Sequence, residues 1–157
     1  MSFSREVKKE ISLIQNEECC KRAELYALIR FRSTLTFSNK NYKIIFTTTS
    51  NFTARRIVYL VKSLYDIKVS LLQKERNKLD KKPLYYLVIA SQGRHILEDL
   101  HLLKADHTYN EAIATKMFKK DCCKASLLRG AFLAKGSIND PFKNKYHLEI
   151  VANNTSR

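Results

Sequence analysis

The chain has 157 residues with two prolines and three glycines, enough to bury a core and too little of either breaker for a low-complexity tract. Its 29 Lys and Arg against 15 Asp and Glu give a net charge of +14, which points toward a polyanion such as nucleic acid. The opening MSFSREVKKE is too polar for a secretory signal, and no apolar run nears the roughly 18 residues of a membrane span. No membrane partner is therefore expected, and the location expected is cytoplasmic, nucleoid association included, where cysteines stay reduced. Lysines outnumber arginines 19 to 10, a balance that an AT-rich coding bias also gives, so charge alone leaves a solvated basic surface open.

In chain order, Val7, Ile11 and Ile14 fall on one face of a first helix. A second helix is expected from about Cys19 to Arg32, with Asn16 as its N-terminal cap. STLTF and YKIIFTTT read as strands joined by a hairpin turn at SNKN. Ser50 or Asn51 caps a third helix, whose Ile57, Leu60, Val61 and Leu64 make an apolar stripe. IKVSLLQK and LYYLVIA form a second hairpin around the charged stretch KERNKLDKK, and GRHILEDLHLL reads as a closing helix. From the second helix onward the order is α-β-β-α-β-β-α.

The same unit then begins again at NEAIATKMFKK. Laying each residue over the one 103 positions later, Cys19, Cys20, Lys21 and Leu25 meet Cys122, Cys123, Lys124 and Leu128 identically. Ala27 meets Gly130, Arg32 meets Lys135, Ser33 meets Gly136, and Asp121 is the expected cap of the second copy. With one extra residue, the strand from Tyr42 falls on the stretch from Tyr146. A helix and strand repeated together mark a duplicated unit. The expected architecture is α+β, one domain over 1–157 with pseudo-two-fold symmetry. Its first repeat covers about 5–104, and its second, about 107–157, is truncated before the matching helix and hairpin.

Within the second copy, LRGAFLAKG matches the LAGLIDADG pattern at Leu128, Gly130, Ala134 and Gly136. Small residues in such a helix let two copies approach closely, so Ala27, Ser33, Gly130, Ala134 and Gly136 are the expected faces of a helix pair. Glycine inside a helix costs roughly 1 kcal/mol against alanine, so Gly130 needs a packing reason. Because the first copy carries Ala27, Gly130→Ala is expected to be mild. In homing endonucleases of this pattern the eighth motif position is an acid that holds divalent metal. Here those positions are Arg32 and Lys135, so no catalytic residue is assigned and no nuclease is expected.

CCKRAELYALIRFRSTL, followed by CCKASLLRGAFLAKGSINDPFKNKYHLEIV, resembles the WhiA family, as does the opening SFSREVKKEI. The resemblance covers residues 2 to 152. It implies a degenerate LAGLIDADG domain, normally followed by a helix-turn-helix domain, which is expected to be absent from residues 1–157. It also implies a non-catalytic DNA-binding regulator of cell division and chromosome segregation, associated with sporulation in some bacteria. In that architecture curved sheets sit over the duplex. The expected DNA contacts are then Lys43 with Thr47 on one strand face, Lys68, Ser70 and Lys74 on another, and Arg76, Lys78, Lys81 and Lys82 in the charged loop. The alternative is a protein-interaction scaffold, with DNA binding carried by the helix-turn-helix.

No cofactor is expected. Neighbouring cysteines on a helix point about 100° apart, unlike the C-x₂-C pairs of structural zinc sites, so Cys19, Cys20, Cys122 and Cys123 are expected to pack the helix starts rather than bind metal. His95, His101, His107 and His147 show no metal-binding spacing.

Overall fold

The computed structural model describes residues 3–74, 83–104, 106, 108–112, 115–138 and 147–151. Their elements are α1 (Phe3–Ile11), α2 (Glu18–Arg32), β1 (Ser33–Ser38), β2 (Asn41–Thr48), α3 (Asn51–Tyr65), β3 (Ser70–Lys74), β4 (Leu84–Ile89) and α4 (Gly93–Asp99). A 3₁₀ turn (Thr115–Phe118), α5 (Asp121–Lys135), β5 (Gly136–Ile138) and β6 (Leu148–Ile150) follow. The fold is α+β, and α2-β1-β2 and α5-β5-β6 share one element order. Among the described residues no helix is long and apolar enough to cross a membrane.

Two hairpins lie side by side in an antiparallel sheet of order β1-β2-β4-β3. Period-two alternation decides which side is dry. Ile44 stands opposite Ile89 and Phe46 opposite Leu87, all four fully buried. Helices α2, α3 and α4 pack over this side, α3 through Ile57, Leu60 and Val61. The β1–β2 hairpin closes with Asn39 and Lys40 both at positive φ, 51° and 61°, the two-residue turn whose twist matches that of the strands.

Ser50 starts α3 by accepting a hydrogen bond from the Thr53 amide at 3.2 Å. Asp66, left-handed at φ 54°, ends it with its amide on the Lys62 carbonyl. The expected caps Asn16 and Asp121 do not act as caps. Glu17 and Lys120 hold those positions without a side-chain bond, because α2 and α5 begin at Glu18 and Asp121. The acids fall in the first turn instead, where the positive end of the helix dipole favours them. The stretch before α5 contains a 3₁₀ turn, with Phe118 edge-on to the buried Tyr26 ring at 5.2 Å.

Two polar clusters tie the helices together. The Arg56 guanidinium, 1% exposed, donates to both Glu24 carboxylate oxygens at 2.6 and 3.1 Å, and Glu24 is 0% exposed. Its remaining nitrogen donates to the carbonyls of Ile14 (2.7 Å) and Ser12 (3.3 Å) beyond α1. Toward the other side, Arg22 and Tyr65 both donate to the Asp99 carboxylate, at 3.1 and 2.7 Å, joining α2, α3 and α4. Burial pushes the Asp99 carboxyl up, but the bonds from Tyr65 and Arg22 outweigh it and hold it below its ordinary value. Ser4 on α1 bonds both the amide (2.8 Å) and the carbonyl (3.1 Å) of Ile138, fastening α1 to β5.

Candidate functional site

Helices α2 and α5 make the most extensive contact between any two elements. At its centre is Gly130. A Cβ there would overlap the Glu24 carbonyl oxygen and stand 2.8 Å from the Ala27 Cβ, closer than atoms can approach. The absent side chain sets the helix spacing at this point. Ala27 and Ala134 are buried as well. Ser33 and Gly136 have different neighbours. The Ser33 hydroxyl donates to the Ile29 carbonyl of its own helix, and a Cβ on Gly136 would strike the Phe132 ring of its own helix. These two finish helix ends, whereas Gly130 against Ala27 forms the close approach between the pair.

At the C-terminal ends of the pair stand the two degenerate motif positions. Arg32 donates from Nε to the Thr47 carbonyl at 2.7 Å, and burial lowers its pKa. Burial also lowers that of Lys135, and the Arg32 charge adds to the effect, so the two cations sit within electrostatic reach of one another. Helix C-termini favour cations. A hard divalent ion needs oxygen ligands, which neither side chain offers.

Thr47, whose carbonyl Arg32 bonds, belongs to the outward face of the sheet. The register puts Lys43, Ile45 and Thr47 of β2, Tyr86 and Val88 of β4, and Ser70, Leu72 and Lys74 of β3 on this one side. The strand faces of Lys43 and Lys74, separate in sequence, therefore belong to one surface, and Lys68 precedes β3 in the same alternation. All three lysines are exposed, and the Lys74 ammonium lies 5.3 Å from the Tyr86 ring centre. Arg76, Lys78, Lys81 and Lys82 lie outside the described residues.

The N-terminal ends of the pair depart from expectation. Cys19, Cys20, Cys122 and Cys123 bring their four sulfurs within 4.8 Å of one another. The rotation of about 100° between helical neighbours separates side chains around one helix, but here two helix starts lie side by side and both pairs reach into the seam. The four thiols converge, contrary to what the geometry of a single helix predicts. Cys20 and Cys123 are buried, at 3% and 2% exposure, Cys19 is half-buried and Cys122 is exposed. Burial, then a bond with Cys19, pushes the Cys123 thiol up to about 12; burial also raises Cys20. Hydrogen bonding from Cys20 draws Cys122 down. The described histidines stand apart, His95 against the Tyr65 ring, His101 with its carbonyl accepting from the Asn110 side-chain amide, and His147 beside Glu149. His107 lies outside the described residues.

Sequence reasoning also passes over the Glu24–Arg56 pair. The available signal is an acid inside the apolar run AELYALI and an arginine beside the Ile57 stripe.

Known proteins resemble the chain in sequence and in fold. The WhiA N-terminal LAGLIDADG-like domain matches residues 18–103, and the WhiA LAGLIDADG-like domain matches residues 124–157. "Probable cell division protein WhiA" of Bacillus cereus (strain B4264) is 43% identical over 152 residues, 97% of this chain and 48% of that protein. The protein of the same name from Bacillus anthracis (strain CDC 684 / NRRL 3495) gives the same figures. The chain thus spans about half the length of the curated relatives it matches. Among solved structures, the N-terminal LAGLIDADG domain of DUF199/WhiA superposes with TM-score 0.70 at 25% identity, covering 95% of this chain and 65% of that one. Full-length DUF199/WhiA from Thermatoga maritima superposes with TM-score 0.65, covering 96% of this chain and 44% of that one. A paired-helix seam over an antiparallel sheet, two matching domain models and the shared CCK-initiated helices lead to one assignment: the chain belongs to the WhiA family.

Proposed function

We propose that this chain is the non-catalytic, DNA-contacting part of a WhiA-type regulator of cell division and transcription. The carrying observation is the Arg32–Lys135 pair: two cations stand at the helix ends where a nuclease of this pattern needs two acids. The same substitution that removes metal chemistry adds positive potential beside the sheet. Lys43, Lys68 and Lys74 extend that potential across the outward face, and the net charge of +14 supports it. Such side chains meet phosphates, giving affinity with little base reading. The bulky Ile45, Leu72 and Tyr86 among them offer apolar surface.

The test is duplex-DNA binding by this chain across a salt series. The expected result is weak, sequence-independent binding that falls steeply with salt. Neutralising Lys43, Lys68 and Lys74 together should flatten the log–log slope by about 0.9 for each phosphate that is no longer neutralised. An unchanged slope would take the sheet out of the interface and leave this domain a protein-docking module. Plasmid incubated with magnesium or manganese should remain intact. Cleavage that co-purifies with the protein and disappears on substituting Arg32 or Lys135 would refute the non-catalytic assignment.

A further inference from the structure

The four cysteines serve no purpose in phosphate binding, since they stand at the opposite end of the helix pair from Arg32 and Lys135. Each pair occupies the second and third residues of its helix, Cys19 and Cys20 in α2, Cys122 and Cys123 in α5. Among the described residues these are the only group of three or more cysteines, histidines and acids placed to share an ion. We propose that they form a tetrathiolate site for a thiophilic divalent cation of the zinc class, clamping α2 to α5 at their N-terminal ends.

Geometry carries the proposal. Tetrahedral zinc with bonds of about 2.3 Å to sulfur sets its ligands about 3.8 Å apart. The sulfurs here all lie within 4.8 Å of one another, so closure asks for contraction of at most about 1 Å, within the range of χ1 adjustment. A disulfide would need only one close pair across the seam. What is present is mutual proximity of all four, two from each helix, which is what a four-coordinate ion requires.

The surroundings are suited to the charge involved. Zinc displaces four thiol protons to solvent and leaves a centre of net charge −2, formed by four thiolates around one dication. Both helix starts direct the positive ends of their dipoles to this point, and the Lys120 ammonium acts on Cys122 in the same sense. The Ser126 hydroxyl, buried beside Cys20, accepts a bond from Arg129 at 2.6 Å, which leaves its proton free to point toward sulfur. Glu17, whose carboxylate accepts from the Cys19 thiol at 3.8 Å, opposes the site and would turn toward solvent on metal binding. Access is one-sided. Cys20 and Cys123 close the inner wall, whereas the exposed Cys122 leaves an entrance.

The experiment uses the whole chain, reduced, stripped with a chelator and titrated with cobalt(II). The expected result is one equivalent bound, with thiolate-to-cobalt charge transfer and the strong ligand-field bands of a tetrahedral tetrathiolate. Both should be displaced by stoichiometric zinc, and zinc should raise the melting temperature. Cys122→Ser, at an exposed position, should retain the far-UV circular dichroism of the parent while losing the tetrathiolate spectrum and most of the melting shift. Cys123→Ser should do the same from the buried side. Absence of the bands at stoichiometric cobalt would overturn the proposal, as would an unaltered spectrum in Cys122→Ser. Cross-helix disulfides persisting in protein purified with reductant would overturn it too, and would make the cluster a redox bond instead.

Discussion

Gly130 shows how much a single missing Cβ decides. The repeat pairs it with Ala27, and that equivalence suggests alanine would be tolerated in both copies. The structure reverses the expectation, because the contact is asymmetric: the Ala27 methyl occupies the space that Gly130 vacates, and the obstacle beyond it is the Glu24 backbone. A gain of up to about 1 kcal/mol in helix propensity is then set against an overpacked seam costing about 1–3 kcal/mol. Gly130→Ala should melt below the parent, and Gly130→Leu lower still; an alanine variant as stable as the parent would mean that α2 and α5 can move apart freely. The Glu24–Arg56 pair makes a second prediction at this scale. Arg56→Met strands a buried carboxylate and two carbonyls, and should cost about 3–5 kcal/mol in chemical denaturation. Adding Glu24→Gln should recover part of that loss by removing the stranded charge, whereas equal stability of the single and double variants would mean that the loss comes from the unbonded carbonyls and not from the stranded carboxylate.

At the scale of elements, the sequence is legible where local rules act alone. The SNKN hairpin, the Ser50 cap and the Ile57–Leu60–Val61 stripe follow from turn chemistry and periodicity, and each is found in place. Asn16 and Asp121 do not become caps because a cap depends on where the first helical turn begins, and that start falls one residue later than expected in α2 and one residue earlier in α5. The thiol cluster is illegible for a different reason. Periodicity describes one helix, whereas convergence depends on how two helices, a hundred positions apart, set their starts side by side. The hairpin turn supplies this level's prediction. Lys40 is exposed and holds φ 61°, a conformation that costs an ordinary L residue about 1–2 kcal/mol and glycine almost nothing. Lys40→Gly should therefore raise stability by about 1 kcal/mol, read from the denaturation midpoint; a loss would mean the lysine side chain contributes more than the turn strain it imposes.

For the molecule as a whole, the Asp99 cluster gives a pH signature. Its folded carboxyl lies below the ordinary value, so its contribution is complete above the unfolded pKa of about 3.9 and disappears as pH falls through the lower folded value. Stability measured from neutral pH into the acid range should drop through that window, and Asp99→Asn should flatten the drop; an unchanged profile would assign it to other carboxyls. The seam between α2 and α5 carries a further consequence, for the order in which the chain folds. Ala27 and Gly130 touch across 103 positions of sequence, so the central contact of the fold is also among its most distant. During synthesis the sheet, α3 and α4 can assemble on α2 while its other flank, Ala27 included, still lacks a cover. That flank is closed only after residues 121–135 clear the ribosome, so the nascent chain passes through a stage with native strands and an open apolar groove. Ordering of the seam is therefore expected to be a late step of folding, the kinetic counterpart of the close approach that Gly130 permits.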